Sequence, residues 1–282
     1  MNFNEKLKRA VQKNRSLVCV GLDPDPGLMP AKVSISEFNQ AIIEATSDLV
    51  CAYKPNLAFY EAAGEEGMEA LKKTVKAIPA EIPVIADGKR GDIGNTSKAY
   101  ARALFEVFGF DAATVNPYLG SDAVEPFIQF SEKGIFILCR TSNAGARDFQ
   151  SLSCLTDQGP RPLFEIVAEK AREWNKSGNV GLVVGATYPD ELKTIRRMLP
   201  DMPFLIPGIG AQGGEVEITV KNGVSLQGDK AIINSSRQIL YASKGLDFAE
   251  AARRATETLR DVINQYRKIQ VVDSDGAGTE TG

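Results

Sequence analysis

The chain of 282 residues predicts an α/β protein, a parallel eight-stranded (β/α)8 (TIM) barrel with helices outside. Three observations lead there. Eight short apolar runs alternate with longer amphipathic stretches. Most of the runs are too continuously apolar to face water on one side, as parallel strands buried on both faces should be. Eight such strand–helix units fill nearly the whole chain, which is the ordinary size of these barrels. An open doubly wound sheet is the alternative, but it rarely needs eight equal units.

The elements follow in order. Leu17–Leu22 reads as the first strand, and Ser36 can cap a helix over Glu37–Leu49. Val50–Tyr53 is the second strand. Glu65–Ile78 carries Met68, Leu71, Val75 and Ile78 on one helical stripe. Val84–Ala86 is the third strand, and Ser97–Phe108 places Tyr100, Leu104 and Phe108 four apart. Ala113–Val115 and Ile135–Leu138 are strands four and five. Thr141–Pro160 is the longest irregular stretch and reads as a lid. Helix Leu163–Lys176, strand Gly181–Val184, helix Asp190–Leu199 and strand Phe204–Ile206 follow. A helix starts near Glu215, Ala231–Ile233 is the eighth strand, and Asp247–Lys268 is a long helix with Phe248, Ala252, Ala255, Leu259, Ile263 and Tyr266 on one face. Residues 1–272 form one domain, and 273–282 read as a disordered acidic tail.

Composition narrows the chemistry. The chain is 43% apolar and 24% charged, with a formal net charge of −3. That balance gives no electrostatic case for nucleic acid. No stretch has membrane-spanning length, and the N-terminus has no apolar signal core, so a cytoplasmic protein is expected. There is no histidine. Ser-His-Asp and Cys-His catalysis and His-ligated zinc are thereby excluded, and proton transfer falls to Lys, Asp, Glu, Tyr or Cys. Cys19, Cys51 and Cys139 lie in or beside predicted strands as small buried thiols, and Cys154 lies in the loop.

In such a barrel the active site lies where strands end and loops begin. Strand three runs into Asp87-Gly88-Lys89-Arg90-Gly91-Asp92, an Asp-x-Lys-x-x-Asp spacing. Asp23 follows strand one and Lys54 follows strand two. Lys54 and Asp87 abut apolar strands, where an unpaired charge is costly. Clustered there, Asp23, Lys54, Asp87, Lys89 and Asp92 read as a built site rather than a surface ion-pair network. The interleaved lysines argue against a metal among the carboxylates. Strand five ends in Arg140-Thr141-Ser142-Asn143. Strand seven ends in the turn Pro207-Gly208-Ile209-Gly210-Ala211-Gln212-Gly213-Gly214, and strand eight leads to Arg237. A glycine-rich turn with an Arg on the next strand suits phosphate, at the position where barrels often bind it.

At these residues the chain resembles orotidine 5′-phosphate decarboxylase, in its longer bacterial branch. Asp87-x-Lys89-x-x-Asp92 matches that family's signature. Asp23, Lys54, the Pro207–Gly214 turn and Arg237 extend the likeness from residue 21 to residue 237. The resemblance implies decarboxylation of orotidine 5′-phosphate to UMP, the last step of de novo UMP synthesis, with no cofactor and no metal. It implies that Lys89 protonates C6 of the pyrimidine and that Asp87 sits beside the substrate carboxylate. Lys54 and Asp92 would complete an alternating charge array, with Asp92 supplied by the other subunit of a homodimer. Asp23, Lys54 and the partner's Thr96 would hold ribose hydroxyls, Ser142 the pyrimidine, and Gln212, Arg237 and the Gly213 amide the phosphate. Two alternatives stay open: a Mg²⁺-dependent decarboxylase or aldolase of a keto-sugar phosphate in the same superfamily, and a noncatalytic barrel that binds a nucleotide phosphate. No membrane or nucleic-acid partner is implied.

Overall fold

Each of the eight apolar runs becomes a strand in a computed structural model that describes residues 1–209 and 213–276. Helix α1 (Phe3–Asn14) precedes β1 (Val18–Leu22), α2 (Ile35–Thr46) and β2 (Ala52–Pro55). Then come α3 (Leu57–Ala62), α4 (Gly64–Ala77), β3 (Ile85–Arg90), α5 (Gly94–Arg102), β4 (Ala112–Val115), α6 (Ser121–Ile128) and β5 (Gly134–Arg140). A hairpin of β6 (Ser153–Thr156) and β7 (Gly159–Pro162) leads to α7 (Leu163–Trp174) and β8 (Val180–Val184). Helix α8 (Pro189–Met198), β9 (Phe204–Ile206), α9 (Gly213–Gly223), β10 (Ala231–Ser235), α10 (Arg237–Leu240) and α11 (Phe248–Gly276) complete the chain.

Eight strands form one parallel sheet in the order β2-β1-β10-β9-β8-β5-β4-β3. Its two outer strands meet through parallel bridges at Tyr53–Val84 and Asn56–Asp87, and the Tyr53 N–H donates to the Pro83 carbonyl at 3.0 Å. That seam closes the barrel and removes the doubly wound alternative, whose edges stay open. Strand alternation sorts the apolar residues into two layers. Cys19, Ala52, Ile85, Ala112, Phe136, Val183, Leu205 and Ile232 fill the interior. Val18, Val20, Ile135, Ile137, Leu182 and Ile233 face the helices. Helix α1 underlies the barrel: the Phe3 ring meets Phe136 edge-on at 5.6 Å. Gly134 makes room for it, since a Cβ there would fall 2.5 Å from Phe3.

Several boundaries differ from the sequence reading. The cap of α2 is Ser34, not Ser36: its Oγ accepts from the Glu37 N–H while the Glu37 carboxylate accepts from the Ser34 N–H, a reciprocal capping box. The helix expected over Ser97–Phe108 begins earlier, at Gly94, and passes into a π-helical turn over Ala103–Val107. The stretch Thr141–Pro160 is not irregular throughout. It holds a 3₁₀ turn (Ala144–Asp148) and the antiparallel hairpin pairing Ser153 with Pro162, which places Cys154 in a strand. Helix α11 continues to Gly276, beyond the expected domain end at residue 272, and 277–282 lie outside the described residues. Among the described residues no helix is long and apolar enough to cross a membrane.

Candidate active site

Two strand ends at the mouth depart from regular pairing. On β3, Ala86 pairs with Ala113 and Arg90 with Val115, so four steps along β3 match two along β4. The surplus carries Asp87, Gly88 and Lys89 out of the ladder. Lys89 takes a left-handed backbone (φ 46°), uncommon for a residue with a side chain, and its N–H donates to Thr114 Oγ1 at 2.9 Å. The neighbouring strand thus supplies the bond that the ladder lost.

This geometry assembles three charges. Lys54 Nζ donates to Asp87 Oδ2 at 2.7 Å and Lys89 Nζ to Asp87 Oδ1 at 2.6 Å. Thr114 Oγ1 lies 3.2 Å from the same Oδ1. Lys54 is 3% exposed and Asp87 9%, whereas the Lys89 side chain is half-exposed. Burial alone would raise the Asp87 carboxyl, but the adjacent Lys54 and Lys89 outweigh it and hold the pKa down to about 2. Burial works against the Lys54 ammonium too, yet Asp87 and Asp23 raise its pKa above the ordinary lysine value. Both groups are therefore charged at neutral pH. Beneath them, burial pushes the Cys19 thiol up to about 12, so it stays protonated.

Asp23 stands beside this array on a turn held from behind. Tyr60 Oη donates to the Leu22 carbonyl at 3.0 Å, and Tyr241 Oη donates to the Asp23 carbonyl at 2.9 Å. Tyr241 also accepts from the Asp25 N–H at 2.6 Å. With its backbone fixed, Asp23 keeps a buried Oδ1 that has no hydrogen-bond partner among the described residues. A buried acceptor of this kind suits a hydroxyl donor from a ligand.

Ser142, Gly213 and Arg237 follow strand ends at the same mouth. Ser142 follows β5 and packs into a slot lined by Gly185 and Gly208. Gly208 has φ 92°, a conformation that turns the chain sharply after β9. Gly213 opens α9, two residues before the expected start, and the first turn of a helix is a position that suits an anion. Gln212 lies outside the described residues. Arg237 is exposed at the first position of α10. Asp92 and Thr96 belong to the β3–α5 segment and are not drawn into the Lys54–Asp87–Lys89 array. Asp92 Oδ1 instead accepts from the Ile93 N–H at 2.8 Å, and Thr96 is exposed in the first turn of α5.

Sequence reasoning missed Thr114, Tyr60 and Tyr241. The signal for Thr114 was a hydroxyl inside an otherwise apolar strand, which a β-branched residue hides well. Among the described residues no group of three Asp, Glu or Cys side chains is placed to hold a metal ion.

The fold agrees with what the chain is similar to. The family described as orotidine 5′-phosphate decarboxylase / HUMPS matches residues 16–255. An orotidine 5′-phosphate decarboxylase of Dehalococcoides mccartyi is 58% identical over 268 residues, 95% of this chain and 99% of the relative. One from Thermomicrobium roseum is 52% identical over 95% of this chain and 97% of its own. The solved OMP decarboxylase of Leishmania donovani superposes with a TM-score of 0.83 at 39% identity, over 95% of this chain and 99% of that one.

Proposed function

The chain belongs to the orotidine 5′-phosphate decarboxylase / HUMPS family, and on that premise we propose that it converts orotidine 5′-phosphate to UMP and CO₂. The observation that carries the reading is the Lys54–Asp87–Lys89 array at the barrel mouth, with Lys54 and Asp87 buried. In the proposed reaction the bond between C6 and the carboxyl carbon breaks and its electron pair stays on C6. Lys89 Nζ gives a proton to C6 and regains one from solvent. The protein's task is then electrostatic: a fixed ammonium must stand where negative charge develops, in a site that excludes water. Lys54 and Asp87 supply that fixity. Asp87 is held ionised between two lysines, and its Oδ1 orients the Lys89 ammonium.

Substrate recognition divides among the remaining mouth residues. Asp23 and Lys54 take the ribose hydroxyls, Ser142 the pyrimidine, and Gln212, Gly213 and Arg237 the phosphate. Phosphate held far from C6 can contribute binding energy to closure of the hairpin-bearing loop after β5, which we read as the lid.

The reading includes a homodimer in which Asp92 and Thr96 complete the partner's site. Exposed Ile93, Tyr100, Tyr118 and Leu119 cluster on the segments that carry or adjoin those residues, an apolar surface suited to a second copy. Mixing Lys89→Ala protein with Asp92→Ala protein tests it. Shared sites regain activity in the mixture because one mixed site is intact; separate sites do not.

The function itself is tested by the loss of orotidine 5′-phosphate absorbance in EDTA. Wild type is expected to convert the substrate to UMP and Lys89→Ala to be inactive. Inactivity of a folded wild type, or dependence on added Mg²⁺, would overturn the reading in favour of a keto-sugar phosphate or a binding role.

A further inference from the structure

We propose that Arg140 is a positioning residue that fixes Ser142 against the pyrimidine and so helps set base recognition; the proposal rests on the decarboxylase reading above. The end of β5 carries the second bulge of the mouth. Leu138 pairs with Val183 and Arg140 with Val184, two steps against one. A bulge redirects the strand beyond it. Here Cys139 turns outward, with Sγ 3.2 Å from the Phe164 carbonyl, and Arg140 is carried toward α8.

The Arg140 guanidinium is 1% exposed and sits over the Tyr188 ring, 3.6 Å from its centre. Its Nη1 donates to Gln150 Oε1 at 3.3 Å. That oxygen also accepts from the Thr141 N–H at 2.8 Å, and Gln150 Nε2 donates to Thr141 Oγ1 at 2.8 Å. Thr141 Oγ1 in turn donates to Asn143 Oδ1 at 2.7 Å. Arg140 and Gln150 therefore hold the residue immediately before Ser142 by backbone and side chain, and Thr141 reaches the residue after it.

Ser142 is confined from the opposite side. The Gly185 N–H donates to the Arg140 carbonyl at 2.7 Å. A Cβ on Gly185 would lie 2.9 Å from Ser142 Cα, and one on Gly208 would lie 3.2 Å from Ser142 Cβ. A hydroxyl on a backbone fixed this closely meets a base edge without ordering cost, and one on a free loop does not.

Stability alone does not account for this arginine. Its Nε and Nη2 have no hydrogen-bond partner among the described residues, and Nη2 stands 3.5 Å from Glu191 Oε1. Buried donors left unmet are unfavourable, and an apolar side chain of similar volume is often the more stable occupant. The arginine stands where its one hydrogen-bonded nitrogen reaches, through Gln150, the backbone just before Ser142.

The test is calorimetric binding of UMP and of ribose 5-phosphate, which lacks the base. The proteins are wild type, Ser142→Ala, Arg140→Met, Gln150→Leu and the Arg140→Met/Ser142→Ala double variant. Arg140→Met should weaken UMP about tenfold, the scale of one lost hydrogen-bonding group. Ribose 5-phosphate should be unaffected, and the loss should nearly vanish in the Ser142→Ala background, as for residues acting as a unit. Gln150→Leu, on the half-buried loop, should reproduce the direction and reports even if Arg140→Met fails to fold. Unchanged UMP binding, equal losses for both ligands, or losses that add to Ser142→Ala would overturn the proposal. Failure of wild type to bind UMP would instead overturn the decarboxylase reading, and is seen before any variant is compared.

Discussion

Two buried arginines, at opposite ends of the barrel, use the same side chain in different ways. Arg140 at the mouth and Arg196 at the floor each sit 3.6 Å from the centre of an aromatic ring, Tyr188 and Phe204. Arg196 spends all three of its nitrogens on backbone carbonyls: Nε and Nη2 on Gly223, Nη1 on Leu199, Pro200 and Met202, and Nη2 also on Lys230. It ties the ends of α8 and α9 to the starts of β9 and β10. Burial lowers its pKa to about 9, with Asp229 and Asp201 opposing, so it remains charged at neutral pH. Arg140 leaves two nitrogens without hydrogen bonds. At the floor, Arg196 meets its donors within the chain and holds the fold. The mouth keeps charges and donors that are only partly satisfied within the chain, which is where a ligand can complete them.

The largest effect tests that division at its sharpest point. Lys89→Ala should lower kcat/KM by about 10⁴-fold or more, because it removes both the proton donor and the nearest positive charge. Its melting temperature should stay close to wild type, since the side chain is half-exposed and Lys54 still neutralises Asp87. A large drop in melting temperature would show the mouth to be a structural centre as well, and the comparison would fail. Arg196→Met should do the reverse. It strips a donor from five backbone carbonyls, three of them in buried bonds, and should cost about 3 kcal/mol or more, read as a lower midpoint in urea. Turnover per folded molecule should be nearly unchanged.

The sequence carries the floor and the mouth unequally. Apolar runs announce all eight barrel strands, and charges abutting them announce Lys54, Asp87 and Lys89, because an unpaired charge beside a buried strand demands an explanation. The bulges on β3 and β5 are not written in either strand alone: they are mismatches of register between neighbours, so Thr114 and Arg140 gain their roles only once strands are paired. Helix α1 escapes a search for strand–helix units because it precedes the first strand, and α3 and α10 are too short to show a stripe. The hairpin is masked by Pro160 and Pro162, which argue against a strand unless it is an edge. Ser34 and Ser36 are both good caps, and only the reciprocal bond with Glu37 decides between them.

Acid should weaken the mouth. The Asp87 carboxyl falls from an ordinary 3.8 to about 2 in the fold. A depressed carboxyl contributes stability that is fully present above its unfolded value and is lost as pH falls through its folded value. The window is therefore about pH 4 down to about pH 2, and the amount is about 2 kcal/mol. Lys54, with a raised pKa, loses its part only at the alkaline end, above the ordinary lysine range. Urea midpoints across that acid window should converge for wild type and Asp87→Asn as pH falls. Parallel curves would mean that Asp87 is not held ionised by the two lysines.

The smallest effect asks whether the floor is uniform. Lys6 on α1 reaches Asp111 Oδ2 at 2.7 Å, and the same oxygen accepts from the Val84 N–H at 2.9 Å. One carboxylate thus ties the helix beneath the barrel to the segment entering β3. Asp111→Asn keeps the shape and can still accept from Val84, so only the charge on Lys6 loses its partner. Both side chains remain partly solvated, and the loss should be about 1 kcal/mol, reduced by added salt. Arg196 differs because its partners are carbonyls shielded from solvent, so salt should leave the Arg196→Met deficit unchanged. Urea midpoints at low and high salt separate the two. If the Asp111→Asn deficit is as large as that of Arg196→Met and equally insensitive to salt, then α1 is as deeply built into the floor as α8, and the barrel is held from below by both.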